Sequence, residues 1–223
     1  MNIFQLFPSP KEVIKLIIER HDYFLYHWSS TFLVALAAAI FALMFTLAIS
    51  FFLARFPLLR KPLAPLISVS QSFPLQAIAP LFIVLFGSGY LPKFIVATLI
   101  SFFPMFASYS ESLQTVPQRL INYASICGAT KWQVILDIKF PYSLPQLAAS
   151  SKVGFTLASL GAVVAEFISP DKGMGYVLLV AQSNFDIPTI YICTGLLAAQ
   201  GIVVYWLLSI LEVNLAQRRS IYE

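Results

Sequence analysis

Charge is scarce in this sequence. Only 11% of its 223 residues are Asp, Glu, Lys or Arg, against 59% hydrophobic residues and a mean hydropathy of +0.81. Soluble domains carry about a quarter charged residues, so a chain-wide water-facing surface is excluded. A net charge of +4 leaves no basic stripe for nucleic acid. Cysteine is nearly absent: Cys127 and Cys193 make no disulfide framework and show no metal-ligand spacing. His21 and His27 lack partners at ligand spacing, and no nucleophile–base pair or H-x-x-H cluster offers a site for intramembrane hydrolysis. The opening MNIFQLFPSPK has no basic region followed by an apolar core, so no cleavable signal peptide is expected. What is present is length for five or six membrane passes of about 20 residues each. The expected fold is an all-α polytopic membrane protein.

The first 28 residues read as a surface helix and its lead-in. Ser9, Pro10 and Glu12 form a capping-box start, and Lys11, Lys15, Glu19 and Arg20 alternate with aliphatic residues. That helix is too charged to span and should lie along the membrane surface. Tyr23, Phe24, Tyr26 and Trp28 then suit an interfacial belt. A transmembrane domain over 29–217 follows, with spans expected at 29–54, 63–86, 94–112, 146–168 and 189–211, and a basic tail at 218–223. The second span, bounded and interrupted by Pro62, Pro65, Pro74, Pro80 and Pro92, is expected as one broken helix. Its Ser70, Gln71, Ser72 and Gln76 either glue packed helices or line a route through the membrane. Lys152 and Glu166 lie near the ends of the fourth span, where a charge can snorkel; Glu166 is also a candidate route residue.

The segment 122–141, NYASICGATKWQVILDIKFP, is polar and stands between apolar runs. Pro117 suits a helix start, Gly128 a left-handed helix end, and Thr130 with Gln133 a second capping box. Trp132, Ile135 and Ile138 recur at helical spacing, and Pro141 is expected to end the second helix. A loop ordered this strictly, spanning about 113–145, is either a docking element or a well-formed connector. If it is cytoplasmic, five spans leave the N-terminus outside and divide the 14 Lys and Arg residues nine inside to five outside.

This loop resembles that of the membrane subunit of bacterial binding-protein-dependent ABC importers, whose pattern is E-A-A, three residues, Gly, nine residues, I-x-L-P. Gly128 holds the glycine, Ala124 the second alanine, and Ile138 to Pro141 the closing element; Asn122, Tyr123 and Phe140 depart from the pattern. FPLQAIAPLFIVLFGSG and VVAEFISPDKGMGY are similar to segments of the nitrate/sulfonate/taurine branch, and LFPSPKEV to the element after that branch's first helix. The likeness covers 6–218; either this member lacks the usual leading helix or its true start lies upstream.

The resemblance implies a permease for a small solute of the nitrate, sulfonate, taurine or pyrimidine-type vitamin-precursor class. It implies a coupling element in a cleft of an ATPase subunit, carried by Asn122, Ala124, Gly128, Ala129, Thr130, Trp132, Ile138 and Pro141. It further implies two cytoplasmic ATP-binding subunits, a second permease copy in what is expected to be a homodimer, an external binding protein, and residence in the bacterial inner membrane. No GxxxxGK[ST] phosphate loop occurs in the sequence, so no cofactor is expected on this chain, no enzymatic activity of its own, and ATP with Mg on the partner. Asp171 and Lys172 would either be solvated or touch the delivery protein. The alternative, an ATP-independent carrier or channel, requires an inverted repeat and charges near the midplane, and five spans with a single ordered loop fit neither.

Overall fold

Ser9 opens the first helix through the capping box that its spacing predicts. Its hydroxyl accepts from the Glu12 N–H at 3.3 Å, and the Glu12 carboxylate accepts from the Ser9 N–H at 3.2 Å. The structure, a computed structural model, describes residues 8–72 and 74–219; the side chains of Gln71, Leu75, Gln76, Arg218 and Arg219 lie outside that description. In order, the helices are α1 (Pro10–Glu19), α2 (His21–Arg55), α3 (Pro57–Val69), a 3-10 turn Ser70–Ser72, α4 (Leu75–Phe86), α5 (Tyr90–Ser112), α6 (Gln118–Ile126), α7 (Lys131–Gln133), a π-helical stretch Val134–Lys139, α8 (Phe140–Ile168), α9 (Met174–Ser183) and α10 (Ile187–Arg219). No strand occurs among the described residues.

Among the described residues, four helical runs are long and apolar enough to cross a membrane: His21–Arg55, Tyr90–Ser112, Lys131–Ile168 and Ile187–Gln217. The segment expected as a broken pass forms α3, the 3-10 turn and α4. Arg60 of α3 donates to the Ser110 carbonyl at the C-terminal end of α5, at 3.2 Å. Ala79 of α4 packs instead with Val96 and Ile100, nearer the N-terminal end of α5, and with Ala165. The two halves therefore run from one end of the bundle to the other. Their 13 and 12 residues give roughly 20 and 18 Å at about 1.5 Å per residue, enough together for a core about 30 Å thick. Of the prolines, Pro57 and Pro74 mark helix starts, whereas Pro62, Pro65 and Pro80 lie inside α3 and α4.

Three expectations are corrected. Pro141 does not end the second helix of the loop, because α7, the π-helical stretch and α8 are continuous from Lys131 to Ile168. The widened turn, in which the Phe140 N–H reaches back to the Ile135 carbonyl, leaves room for a ring that would otherwise strike the preceding turn. The segment 169–188, between the expected fourth and fifth spans, contains a helix, α9, whose Met174, Gly175, Val177 and Ala181 are buried. The aromatic stretch 23–28 forms the first turns of α2 rather than a lead-in.

Helices α2, α5 and α8 make the core, with α10 against the other side of α8. Lipid gives no hydrophobic drive between helices, so close backbone approach and interhelical hydrogen bonds must hold them. Ala35, Ala38, Ala97, Ala158 and Ala162 are fully buried at this seam. At Gly161 the backbones of α5 and α8 approach closely, since a Cβ there would lie 2.8 Å from the Ala97 Cα. Tyr109 bonds Ser143 at 3.0 Å, and Gln146 donates to Ser108 at 2.8 Å. Lys152 does not snorkel; it pairs with Glu212 of α10 and lies over the Tyr205 ring.

Gly161→Leu should lower stability by about 1–3 kcal/mol or more by overpacking, read by dodecyl sulfate titration in mixed micelles. Gly201→Leu, where nothing lies within 4 Å of the added Cβ, should leave the midpoint unchanged. Equal losses in both variants would contradict this packing.

Candidate functional site

The polar loop is held by two local devices in sequence. At the end of α6 the Gly128 N–H reaches the Ser125 carbonyl at 3.1 Å and the Ala129 N–H reaches the Ala124 carbonyl at 3.0 Å. This is a Schellman closure, and it requires the left-handed φ of 80° that Gly128 adopts. Two residues later Thr130 accepts from the Gln133 N–H at 3.3 Å, while the Gln133 amide oxygen accepts from the Thr130 N–H at 2.7 Å. The turn between α6 and α7 is thereby fixed on both sides, and α7 continues through the π-helical stretch into α8.

The loop's inner face consists of Leu113, Val116, Ala124, Val134 and Ile135, all buried. The outward face carries Tyr123 at 70%, Ile126 at 85%, Trp132 at 49% and Leu136 at 49% exposure. Large apolar side chains clustered in a polar loop and left uncovered mark a surface meant for another molecule. Asn122 is exposed, with its amide oxygen accepting from Gln118 at 3.0 Å. Gly128 and Thr130 are exposed, and Ala129, Ile138 and Pro141 are partly buried. Ala124 is thus placed against the protein, a correction to its expected place in a partner's cleft. Tyr123, Ile126 and Leu136 are the outward residues that sequence reading missed; as apolar residues on a nine-residue helix otherwise rich in polar ones, Tyr123 and Ile126 offered the available signal.

At the opposite end of the bundle, three successive backbone N–H groups open α9, and each finds a side chain. Gly173 donates to His27 Nδ1 at 3.1 Å, Met174 to Thr31 Oγ1 at 2.7 Å, and Gly175 to Glu166 Oε2 at 2.8 Å. Thr31 passes its own proton donor on to the Glu166 carboxylate at 2.8 Å. Glu166 is fully buried, which corrects the snorkelling reading. A carboxylate beside the first N–H groups of a helix satisfies donors that have no helical partner and sits at the positive end of the dipole. The glycines of GMGY allow this approach: a Cβ on Gly173 would lie 2.0 Å from Glu166 Oε1, at a φ of 115°.

Lys93 of α5, almost fully buried, pairs with Asp171 and donates to the Lys172 carbonyl at 2.9 Å. Burial alone would raise the Asp171 carboxyl, but the hydrogen bond and charge of Lys93 hold it below its ordinary value. Asp171 is therefore tied to the bundle rather than freely solvated, and Lys172 lies 3.8 Å over the Tyr90 ring.

Of the candidate route residues, Ser70, Ser72 and Glu166 have described side chains, and no hydrogen bond joins them. Ser70 is partly buried and spends its hydroxyl on the Leu66 carbonyl at 2.9 Å; Ser72 is exposed. The side chains of Gln71 and Gln76 are outside the described residues. The hydrogen-bond partners of Glu166 lie on α2 and α9 rather than on the broken pass.

A family model described as "Binding-protein-dependent transport system inner membrane component" matches residues 46–218. The riboflavin transport system permease of Chloroflexus aurantiacus is 37% identical over 154 residues, which is 69% of this chain and 58% of that protein. The formylaminopyrimidine transport permease of Halalkalibacterium halodurans is 25% identical over 93% of this chain and 83% of its own length. The taurine transport permease of Escherichia coli is 25% identical over 95% of this chain and 78% of its own length.

The Thr31–Glu166 bond should behave as a coupled pair. Thr31→Val and Glu166→Ala should each lose about 1–3 kcal/mol, because each leaves a buried N–H of α9 without an acceptor. The double variant should lose less than the sum, since coupled neighbours depart from additivity by about 0.5–3 kcal/mol. Strictly additive losses in a dodecyl sulfate titration would contradict the pairing.

Proposed function

The chain belongs to the family of binding-protein-dependent transport system inner membrane components, and on that premise we propose that it is the permease subunit of an ATP-driven importer. The loop end of the bundle faces the cytoplasm, where most of the Lys and Arg residues collect. The GMGY end faces outward and receives the binding protein. Two copies of the chain form the pathway between them, and each engages one of two ATP-binding subunits. ATP and Mg are handled there, since this sequence carries no phosphate-binding loop. The chain itself binds no cofactor and catalyses no reaction.

The observation that carries this reading is the rigid outward face of Tyr123, Ile126, Trp132 and Leu136. A surface that takes up the closing motion of an ATPase must not flex, and the Schellman closure and capping box remove the freedom of the turn. The motion then enters α8 directly, because α7, the π-helical stretch and α8 form one rod. The solute is small. The relatives' names point to riboflavin, a formylaminopyrimidine, aliphatic sulfonates and taurine, in line with the sulfonate and vitamin-precursor classes that the sequence implies. Ser70, Gln71, Ser72 and Gln76 on the broken pass remain the proposed lining of the route, with Glu166 acting through the wall that it braces.

The test separates contact from rigidity. A Tyr123→Ser, Ile126→Asp double variant should insert and fold normally yet hold its ATPase partner at least about tenfold more weakly, as two apolar anchors worth about 1.5–3 kcal/mol each are lost. Gly128→Val, which forces a β-branched residue into a left-handed conformation at about 1–2 kcal/mol, should keep some partner but uncouple hydrolysis from uptake. Normal copurification and normal uptake in both variants would contradict the assignment.

A further inference from the structure

A small enclosed space lies where the loop meets the spans. It has a volume of about 160 Å³ and is bounded by Ser50 of α2, Pro57 and Arg60 of α3, Ser110 of α5, and Lys139 at the end of the π-helical stretch. At about 30 Å³ per water it has room for a tetrahedral oxyanion with a few waters. Its polar groups are predominantly donors. Arg60 spends one guanidinium N–H on the Ser110 carbonyl at 3.2 Å, out of the five such donors an arginine carries. Lys139 is partly buried and makes no ion pair among the described residues. The Ser50 hydroxyl, on a residue 2% exposed, has no hydrogen-bond partner among the described residues.

Among the described residues no carboxylate lines the chamber. Glu111 borders a wider adjoining cleft of about 470 Å³, which shares Pro57, Arg60 and Ser110 with the chamber. Glu111 is exposed and forms no ion pair with Arg60, Lys61 or Lys139. Two cations facing one partly buried space repel each other and are poorly solvated, an arrangement that a shared anion relieves. A buried hydroxyl with no partner in the same wall supplies a third donor for that anion.

We propose that this chamber binds a phosphate group, held between Arg60 of α3 and Lys139 of the loop-to-span rod with Ser50 as a further donor. The group comes either from an anionic lipid headgroup at the loop-end leaflet, where basic pockets between spans take such headgroups, or from free inorganic phosphate. Both sources present the same tetrahedral oxyanion. Its effect is mechanical as well as electrostatic: it staples the base of the rod to the broken pass, and so stiffens the joint through which loop motion enters the bundle. The site depends on the fold and its cations alone, so it stands apart from the coupling reading.

The test uses the full chain with two probes. One arm compares thermal midpoints in nanodiscs of phosphatidylcholine alone and with phosphatidylglycerol added. The other titrates inorganic phosphate against chloride at matched ionic strength in phosphatidylcholine nanodiscs. At least one probe should raise the midpoint in a saturable way, and the arm that responds names the source. Lys139→Gln should weaken the apparent affinity about tenfold or more, as expected for loss of one charge-assisted hydrogen bond. Ser50→Ala, too small a change to unfold α2, should weaken it less. Lys131→Gln, the same charge change at an exposed position, should leave it unaltered. No saturable shift with either probe, or equal shifts in the parent and Lys139→Gln, would overturn the site.

Discussion

The helical rod that runs without a break from Lys131 to Ile168 is the constraint on which the rest of the structure depends. One of its ends is the capping box beside the exposed apolar face, and its other end carries Glu166 among the opening N–H groups of α9. Between them it packs on α5 through Gly161 and on α10 through the Lys152–Glu212 pair. Pro141 and Pro145 both lie in this rod, and a proline ring crowds the turn before it. The π-helical stretch Val134–Lys139 admits the Pro141 ring and keeps the chain going. The proposed docking face and a site of internal bracing are thereby joined by a single backbone.

The two ends use the same physical rule differently. In or near lipid a polar group without a partner is expensive, so each free donor must be met inside the protein. At the loop end the backbone meets it locally, with the Schellman closure of α6 and the capping box of α7. At the opposite end side chains do so from a distance: His27, Thr31 and Glu166 each take one N–H of the segment 173–175. Local closure leaves the outward surface of the loop free for a partner. Long-range closure locks α2, α8 and α9 together, and Lys93 with Asp171 draws α5 into the same assembly.

What could be read from the sequence follows from this difference. Capping boxes are local, so Ser9 with Glu12 and Thr130 with Gln133 were legible from their spacing, as was the left-handed Gly128. The break between α3 and α4 was legible from prolines and hydroxyls in an uncharged run. Glu166 was misread because its partner Thr31 lies 135 residues away, and nothing in the neighbourhood of VVAEF distinguishes a buried carboxylate from a snorkelling one. Ala124 was assigned to the wrong face because the packing of α6 against the π-helical stretch decides that face, and a motif carries no such information. The short helix α9 hid in an apolar run too short to span. The pairing of Lys93 with Asp171 joins two segments whose proximity only the folded bundle creates.

A rigid rod between a docking surface and an interior brace has a length that should not change as the assembly works. Spin labels at Trp132 and Phe167, both exposed, report it directly by double electron–electron resonance, with Cys127 and Cys193 replaced by serine and labelled chains diluted with unlabelled ones. At about 1.5 Å per residue the separation should be roughly 50 Å. The expected result is one narrow distribution, the same without nucleotide and with ATP bound to the partner. A broad or two-peaked distribution, or a shift of the peak on ATP binding, would contradict the rod and with it the direct transmission of motion from the loop into the bundle.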